Sequence, residues 1–289
     1  MQKVKRTVEK GIEDLMKFIS LMYFGLEIEI KTVSERFNIV HLVQQELNNL
    51  FGNVFHVGTD AGGIEIKFSG KQHVTDGIEL ACKLFKYLQS SRFYTDSDVG
   101  IHFHFSHEGI DTDEAYEACK DRIKTYEDIL FRIGSRTSCN GIMVNRHDMG
   151  NIFNTPLSRI KNLDIEGRNM IRQCNYKETI EFRFFDTSTE VWRIKALIDF
   201  MSRFYAYSIL HTVKLRINGD NINDYQKGQY EYFKLYTFMN QNLGMQKESI
   251  HSIISLYNDT FKKEDRVHKT KKQRREEVKN KKTVNTCYW

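Results

Sequence analysis

Apolar residues along the chain recur first at the spacing of a helix and then at the spacing of a strand. Val8, Ile12, Leu15, Met16, Ile19 and Met22 predict a helix, after which Gly25-Leu-Glu-Ile-Glu-Ile alternates with period two and predicts a strand. Ser34 suits the N-cap of a second helix, with Phe37, Val40, Val43, Leu47 and Leu50 on its apolar face and Gly52-Asn53 as its stop. Val54 to Val57 and Ile64 to Phe68 read as two strands joined by Gly58-Thr-Asp-Ala-Gly-Gly63, whose glycines permit a tight connection. Thr75 or Asp76 opens a third helix with Ile78, Ala81, Phe85 and Leu88 inward, and a strand over Gly100 to Ser106 follows. Asp111 or Thr112 then starts a helix of about twenty residues.

From Cys139 to Tyr176 the pattern is weak. One short strand over Ile142 to Val144 is predicted there, and the single proline, Pro156, falls in a long loop. Thr179 to Phe184 is the last strand, followed by a long helix over Thr189 to Leu210 and helical stretches over Asp224 to Leu243 and Lys247 to Phe261. Strands alternating with helices and then helices alone predict an α+β class. No Pro/Gly/Ser linker divides the chain, so residues 1–261 read as one domain, with the strands and motifs over about 20–205 and a helical part over about 189–261. Residues 262–289 read as a basic tail.

Composition narrows the classes. With 289 residues and 40% apolar content the chain can bury a sizeable core, and collagen-like, coiled-coil and wholly disordered classes are excluded. The most apolar stretch, Leu15 to Leu26, is short and carries Lys17, well below the run of about 18 apolar residues a bilayer span requires. The N-terminal segment lacks the apolar region of a secretory signal, so a cytoplasmic location is expected. Five cysteines, at 82, 119, 139, 174 and 287, are odd in number and show no CxxC pair, so neither a disulfide framework nor a thiolate zinc site is expected.

The net charge of +5 is unevenly placed. Between Lys262 and Lys282 eleven basic residues stand against four acidic ones, an excess of +7 that leaves the rest of the chain at about −2. Two readings of the tail stand: a solvated end, or a salt-dependent contact with nucleic acid or another acidic partner. Aromatics between Tyr225 and Phe238 are expected to pack helices rather than stack bases.

The strands carry the chemistry. Alternate side chains share a face, so Glu27 and Glu29 oppose Leu26, Ile28 and Ile30; Glu65 and Lys67 oppose Ile64, Ile66 and Phe68. Likewise His102, His104 and Ser106 oppose Ile101, Phe103 and Phe105, and Glu181 and Arg183 oppose Ile180, Phe182 and Phe184. Such a face is either simply solvated, or it holds cations that offset carboxylates brought together on neighbouring strands. Four Glu with one or two His form an oxygen-rich set suited to Mg²⁺ or Mn²⁺, whereas zinc more often draws Cys or a denser His cluster. No GxxxxGK[ST] or GxGxxG sequence is present, so a P-loop or Rossmann nucleotide site is not indicated.

Three of these strands, Phe24-Gly-Leu-Glu-Ile-Glu29, Gly100-Ile-His-Phe-His-Phe-Ser106 and Thr179-Ile-Glu-Phe-Arg-Phe-Phe-Asp186, resemble in order the signature strands of the glutamine synthetase and glutamate-cysteine ligase superfamily. The resemblance is greater to its phage and bacterial amidoligase branch, which places a phage-encoded member in the host cytoplasm. It implies an antiparallel-rich sheet with a polar catalytic face and helices covering the other face. It also implies an ATP-dependent carboxylate–amine ligase that works through an acyl phosphate, with ATP and Mg²⁺ or Mn²⁺ bound and small-molecule, peptide or protein carboxylates and amines as substrates. By position, Glu29 and Glu65 would hold the metal nearest the amine and acceptor carboxylate, and Glu27, His102 and Glu181 the metal on the ATP phosphates. Arg183 would neutralise the transferring phosphoryl group, with His104 and Ser106 beside the nucleotide. Asp60 is a further candidate carboxylate. Arg132, Arg136, Arg159, Arg168 and Lys177 are candidate substrate-binding cations, each with solvated surface charge as its ordinary role, and His107 is expected in a surface loop. The rival reading is a non-catalytic binding or structural protein that contacts nucleic acid or an assembly through the tail. A metal-dependent phosphohydrolase, consuming ATP without an amine, is a third.

Overall fold

A computed structural model describes residues 2–33, 38–60, 63–90, 92–95, 99–126, 130, 133–134, 138–139, 142–143, 171–218 and 232–262. The Ser34 cap, most of the long loop with Pro156, Arg132, Arg136, Arg159, Arg168, Tyr225 and the tail beyond Lys262 lie outside the described residues, as does the side chain of Asp60.

Helix α1 (Gln2–Ile19) leads into strand β1 (Met22–Thr32), which takes Met22 from the helix its spacing suggested. Helix α2 (Ile39–Phe51) precedes β2 (Phe55–Asp60) and β3 (Gly63–Phe68). These two strands stay paired out to Asp60 and Gly63, so Gly58 belongs to a strand rather than to the connection. The short β4 (Gln72–His73) opens α3 (Val74–Leu88), and β5 (Phe93–Tyr94) and β6 (Gly100–His107) follow. Helix α4 (Thr112–Thr125) starts where Asp111 accepts hydrogen bonds from the backbone N–H groups of Asp113 and Glu114, and it is shorter than its periodicity suggested. A two-residue pair, β7 (Ser138–Cys139) with β8 (Ile142–Met143), stands apart.

Strand β9 (Ile171–Cys174), a 3₁₀ turn (Asn175–Lys177) and β10 (Thr179–Asp186) form the last hairpin. Helix α5 (Val191–Asn218) continues past Leu210. The expected helix near Asp224 is described from α6 (Tyr232–Thr237), which passes into a π-helix over Phe238–Asn242; α7 (Lys247–Lys262) closes the described chain.

The sheet has the order β2-β3-β1-β6-β10-β9, antiparallel throughout, with β4 and β5 pairing two ends of β1. Its apolar face carries Phe24, Leu26, Ile28, Ile66, Ile101, Phe103, Phe105, Ile180 and Phe182, all buried in one core with residues of the helices. Tyr205 of α5 stacks on Phe105 at 5.6 Å. Gly77 lets α3 close on Phe24, where an added Cβ would come within 2.5 Å of the ring. A bulge in β10 shifts the register between Phe182 and Phe185, which is why Phe184 and Phe185 are both buried although adjacent. No helix among the described residues is long and apolar enough to cross a membrane.

Candidate metal centre on the polar sheet face

With the apolar face packed on helices, the other face gathers its polar residues by register. Glu27 pairs with Lys67 on β3 and with His102 on β6; Glu29 pairs with Glu65; and His104 sits between Gly25 of β1 and Glu181 of β10. At the edge, Glu181 pairs with Arg172 and Thr179 with Cys174. Gly25 leaves room for His104 there, because an added Cβ would lie 3.2 Å from Cβ of His104.

The centre of this face is buried: Glu181 is 0% exposed, His102 and His104 3% each, and Glu27 and Glu29 8% each. His102 Nδ1 lies 3.4 Å from Glu27 Oε2 and 3.3 Å from Glu181 Oε1, while its Nε2 lies 3.5 Å from Glu29 Oε1. His104 Nε2 lies 3.4 Å from Glu27 Oε1 and 4.0 Å from Glu181 Oε1, and its Nδ1 meets the Thr179 hydroxyl at 3.2 Å. Glu29 accepts the Gly100 N–H at 2.8 Å.

Carboxylates this buried need charged partners. Lys177 pairs with Glu27, Arg172 approaches Glu181 Oε2 through Nε and Nη2 at 2.6 Å each, Arg183 Nη1 lies 3.3 Å from Glu181 Oε1, and Lys67 bonds Glu65 at 2.8 Å. Four cations thus touch Glu27, Glu65 and Glu181. Burial alone would raise the carboxyl pKa values. For Glu27, hydrogen bonds from His102, His104 and Lys177 more than reverse it; for Glu181, the charges of His104, Arg183 and His102 do so, and both groups stay ionised. Lys177 is desolvated, yet Glu27 holds its pKa above the usual lysine range. Burial and the Glu181 charge push the Cys174 thiol up to about 11, so it is protonated and donates to Glu181 Oε2 at 3.1 Å.

Among the described residues, two groups of three place their donor atoms within 4.8 Å of one another: Glu27, His102 and Glu181, and His104, Cys174 and Glu181. The first is a hard or borderline O, N, O set that fits Mg²⁺ or Mn²⁺, since octahedral Mg²⁺ separates its ligand atoms by about 3 to 4 Å. Glu181 Oε1 makes no hydrogen bond among the described residues, although it is buried and faces three cationic or imidazole groups. A bound cation would satisfy that oxygen.

Of the residues singled out in the sequence, Glu27, His102 and Glu181 are brought together, with His104 and Arg183 against them. Glu29 and Glu65 face each other across β1 and β3 but belong to neither group of three. His104 lies inside the cluster, against Glu27 and Glu181. Ser106 is half-buried on the same face, two residues further along β6. Lys177 is not a solvated surface charge, because Glu27 attracts its ammonium into the site. His107 ends β6 with its ring stacked on Phe18 at 4.0 Å rather than lying in a loop. Sequence reasoning missed Arg172, Cys174 and the contribution of Thr179. The signal for them was the turn Asn175-Tyr-Lys-Glu178, which marks a hairpin arm before β10.

No family model matches this chain, and no curated protein matches it. Among solved structures it superposes on the crystal structure of a bifunctional glutathione synthetase from Pasteurella multocida, with 11% identity and a TM-score of 0.47, over 87% of this chain and 48% of that one. The chain spans about half the length of that protein.

Proposed function

We propose that this protein is an ATP-dependent carboxylate–amine ligase with a glutamine synthetase-like fold, of the amidoligase type. The reading is carried by one observation: Glu27, His102 and Glu181, each from a different motif strand, converge in a buried group of cation-binding geometry. These are the residues that the family resemblance assigns to the metal on the ATP phosphates.

In the proposed reaction a substrate carboxylate oxygen attacks the γ-phosphorus of ATP, releasing ADP and leaving an acyl phosphate. An amine then attacks the acyl carbon, phosphate leaves with the C–O electron pair, and the amine gives up a proton as the amide forms. Glu27, His102 and Glu181 would hold one divalent cation, and Glu29 with Glu65 a second. Such ions supply charge neutralisation at phosphoryl oxygens, where catalysis is mostly positioning and electrostatics. Arg183 extends a planar guanidinium towards the same place and suits a phosphoryl group with charge spread over several oxygens. His104 and Ser106 would line the nucleotide side. Lys177 and Arg172, which pair with Glu27 and Glu181, would meet an anionic substrate if those carboxylates were engaged by metal.

The test is release of ADP and phosphate by the full chain with ATP, Mg²⁺ and panels of carboxylates and amines. Release should require all three of metal, carboxylate and amine. Release that ignores the amine would instead mark a phosphohydrolase, and no release across broad panels would dismiss the ligase reading.

A further inference from the structure

Cys174 has no part in the ligase scheme, yet its sulfur sits 3.1 Å from Glu181 Oε2 inside the cluster. The two antiparallel registers explain how. Thr179 pairs with Cys174 across β10 and β9, and Glu181, on the same face of β10, pairs with His104 across β10 and β6. A thiol, an imidazole and a carboxylate, all buried, therefore meet with donor atoms within 4.8 Å of one another.

Two details go beyond a thiol hydrogen-bonded to a carboxylate. The Thr179 hydroxyl meets His104 Nδ1 at 3.2 Å, so it can accept an N–H there and leave the lone pair on Nε2. Partners of this kind on the far ring nitrogen are what orient metal-ligating histidines. His104 Nε2 is itself buried, and its approach to Glu27 Oε1 at 3.4 Å is not a well-directed hydrogen bond. A tetrahedral zinc ion separates its S, N and O ligand atoms by roughly 3.4 to 3.6 Å. Cys174 Sγ lies 3.1 Å from one Glu181 oxygen and His104 Nε2 4.0 Å from the other, and one donor atom from each of the three residues lies within 4.8 Å of the other two, so small side-chain adjustments reach that spacing.

We propose that His104, Cys174 and Glu181 form a binding site for one thiophilic divalent cation, of which Zn²⁺ best matches the sulfur, nitrogen and oxygen donors. Spacing in the sequence gave no thiolate site, because its ligands come from three strands. The sulfur excludes Mg²⁺, which takes oxygen ligands, and favours zinc or cobalt. On binding, the Sγ–H bond is exchanged for an Sγ–metal bond, His104 ligates as the neutral imidazole, each proton displaced from the thiol or the imidazole passes to solvent, and no oxidation state changes. Arg172, whose side chain is partly exposed at the sheet edge, turns outward to release Glu181 Oε2. Because Glu181 also belongs to the Glu27 and His102 group, zinc here competes with the hard cation next to it. Zinc would then inhibit the ligase rather than support it; only this last consequence rests on the ligase reading.

The test uses the full chain and Co²⁺ as a spectroscopic probe. Co²⁺ should produce a thiolate-to-metal charge-transfer band in the near ultraviolet that Zn²⁺ removes and Mg²⁺ does not. Cys174→Ser should abolish the band and weaken Zn²⁺ binding by about 100-fold or more, since losing even an outer-shell partner commonly costs 10- to 100-fold. Cys82→Ser, which alters a partly buried thiol on α3, should leave both unchanged. A band that survives Cys174→Ser, or Co²⁺ binding by the unmodified protein without a thiolate band, overturns the site. Should Cys174→Ser fail to fold, ¹¹³Cd NMR of the unmodified protein decides: a resonance in the range of a one-sulfur site supports the proposal, and its absence overturns it. Absence of ligase turnover with the cobalt band intact would dismiss the ligase reading and leave this site standing.

Discussion

The ammonium of Lys177 is paired with Oε1 of Glu27, across 150 residues of sequence. The contact ties the turn before β10 to β1, two strands away. It also places a single positive charge on a carboxylate that shares donor geometry with His102 and Glu181. A lysine therefore occupies ground that a divalent cation would need.

Replacing that lysine separates its two effects. Lys177→Met removes a charged partner from a buried carboxylate and should destabilise the metal-free protein by about 1–3 kcal/mol. On the ligase reading it also removes the competitor for Glu27, so Mg²⁺ affinity should rise several-fold and added Mg²⁺ should recover much of the lost stability. Thermal unfolding with and without MgCl₂, together with calorimetric titration, checks both. Equal destabilisation at all Mg²⁺ concentrations would show that lysine and metal do not share Glu27.

Glu181 belongs to both groups of three and has no exposed surface. Glu181→Gln keeps an acceptor for Arg172 but loses the charge that faces Arg183 and the histidines. Turnover should fall by at least about 100-fold, the scale of losing one preorganised electrostatic contact. Glu181→Ala also leaves those cations without their buried partner and should cost about 3 kcal/mol or more. ADP release and denaturant unfolding measure the two effects, and wild-type turnover by Glu181→Gln would remove this residue from the chemistry.

The site was legible in the sequence wherever a strand is long enough to alternate. Over β1, β6 and β10, period two separates Glu27, Glu29, His102, His104 and Glu181 from the apolar face, and antiparallel pairing then brings them together. It failed at β9, a four-residue edge strand in which Arg172 and Gln173 are both half-buried, so no alternation marks it. Lys177 lies in a 3₁₀ turn, which has no strand period, and its inward position follows from the Glu27 charge rather than from any local pattern. Helix ends depart from the local pattern for a similar reason: Met22 belongs to β1 through its pairing with His107, a long-range contact.

Away from the site, Glu46 of α2 provides an acid-sensitive link. Its carboxylate receives hydrogen bonds from Arg92 Nη1 at 2.8 Å and from the Tyr87 hydroxyl at 2.7 Å, and mainly through the bond from Arg92 its pKa falls to about 2. A depressed carboxyl pKa contributes stability that is complete above the unfolded value near 4.3 and is lost as pH falls through the folded value. The Glu46 side chain is 42% exposed, so solvent screening limits the effect to less than about 1 kcal/mol. Stability of the unmodified protein relative to Glu46→Gln should therefore shrink between about pH 4 and pH 2 and be constant above it. Unfolding measured at several pH values checks this, and a difference that grows on acidification would reverse the assignment.

Gly25 tests whether the placement of His104, as distinct from its presence, matters. A methyl group at Gly25 would stand 3.2 Å from His104 Cβ and 3.8 Å from Cγ, so the imidazole must shift by a few tenths of an ångström. Gly58, two strands away on the same face, is the control, because its added Cβ would meet only Glu65 Oε2 at 3.9 Å, an ordinary contact. Gly25→Ala should cost about 1–2 kcal/mol of stability, in the range of mild overpacking. Its turnover should fall at least about tenfold, because displacements below 1 Å at a reacting site carry large kinetic penalties. Gly58→Ala should be close to wild type in both respects. Comparing ADP release with unfolding midpoints separates position from stability: if Gly25→Ala loses stability but keeps full turnover, His104 does not need its observed position and its place beside the nucleotide has to be withdrawn.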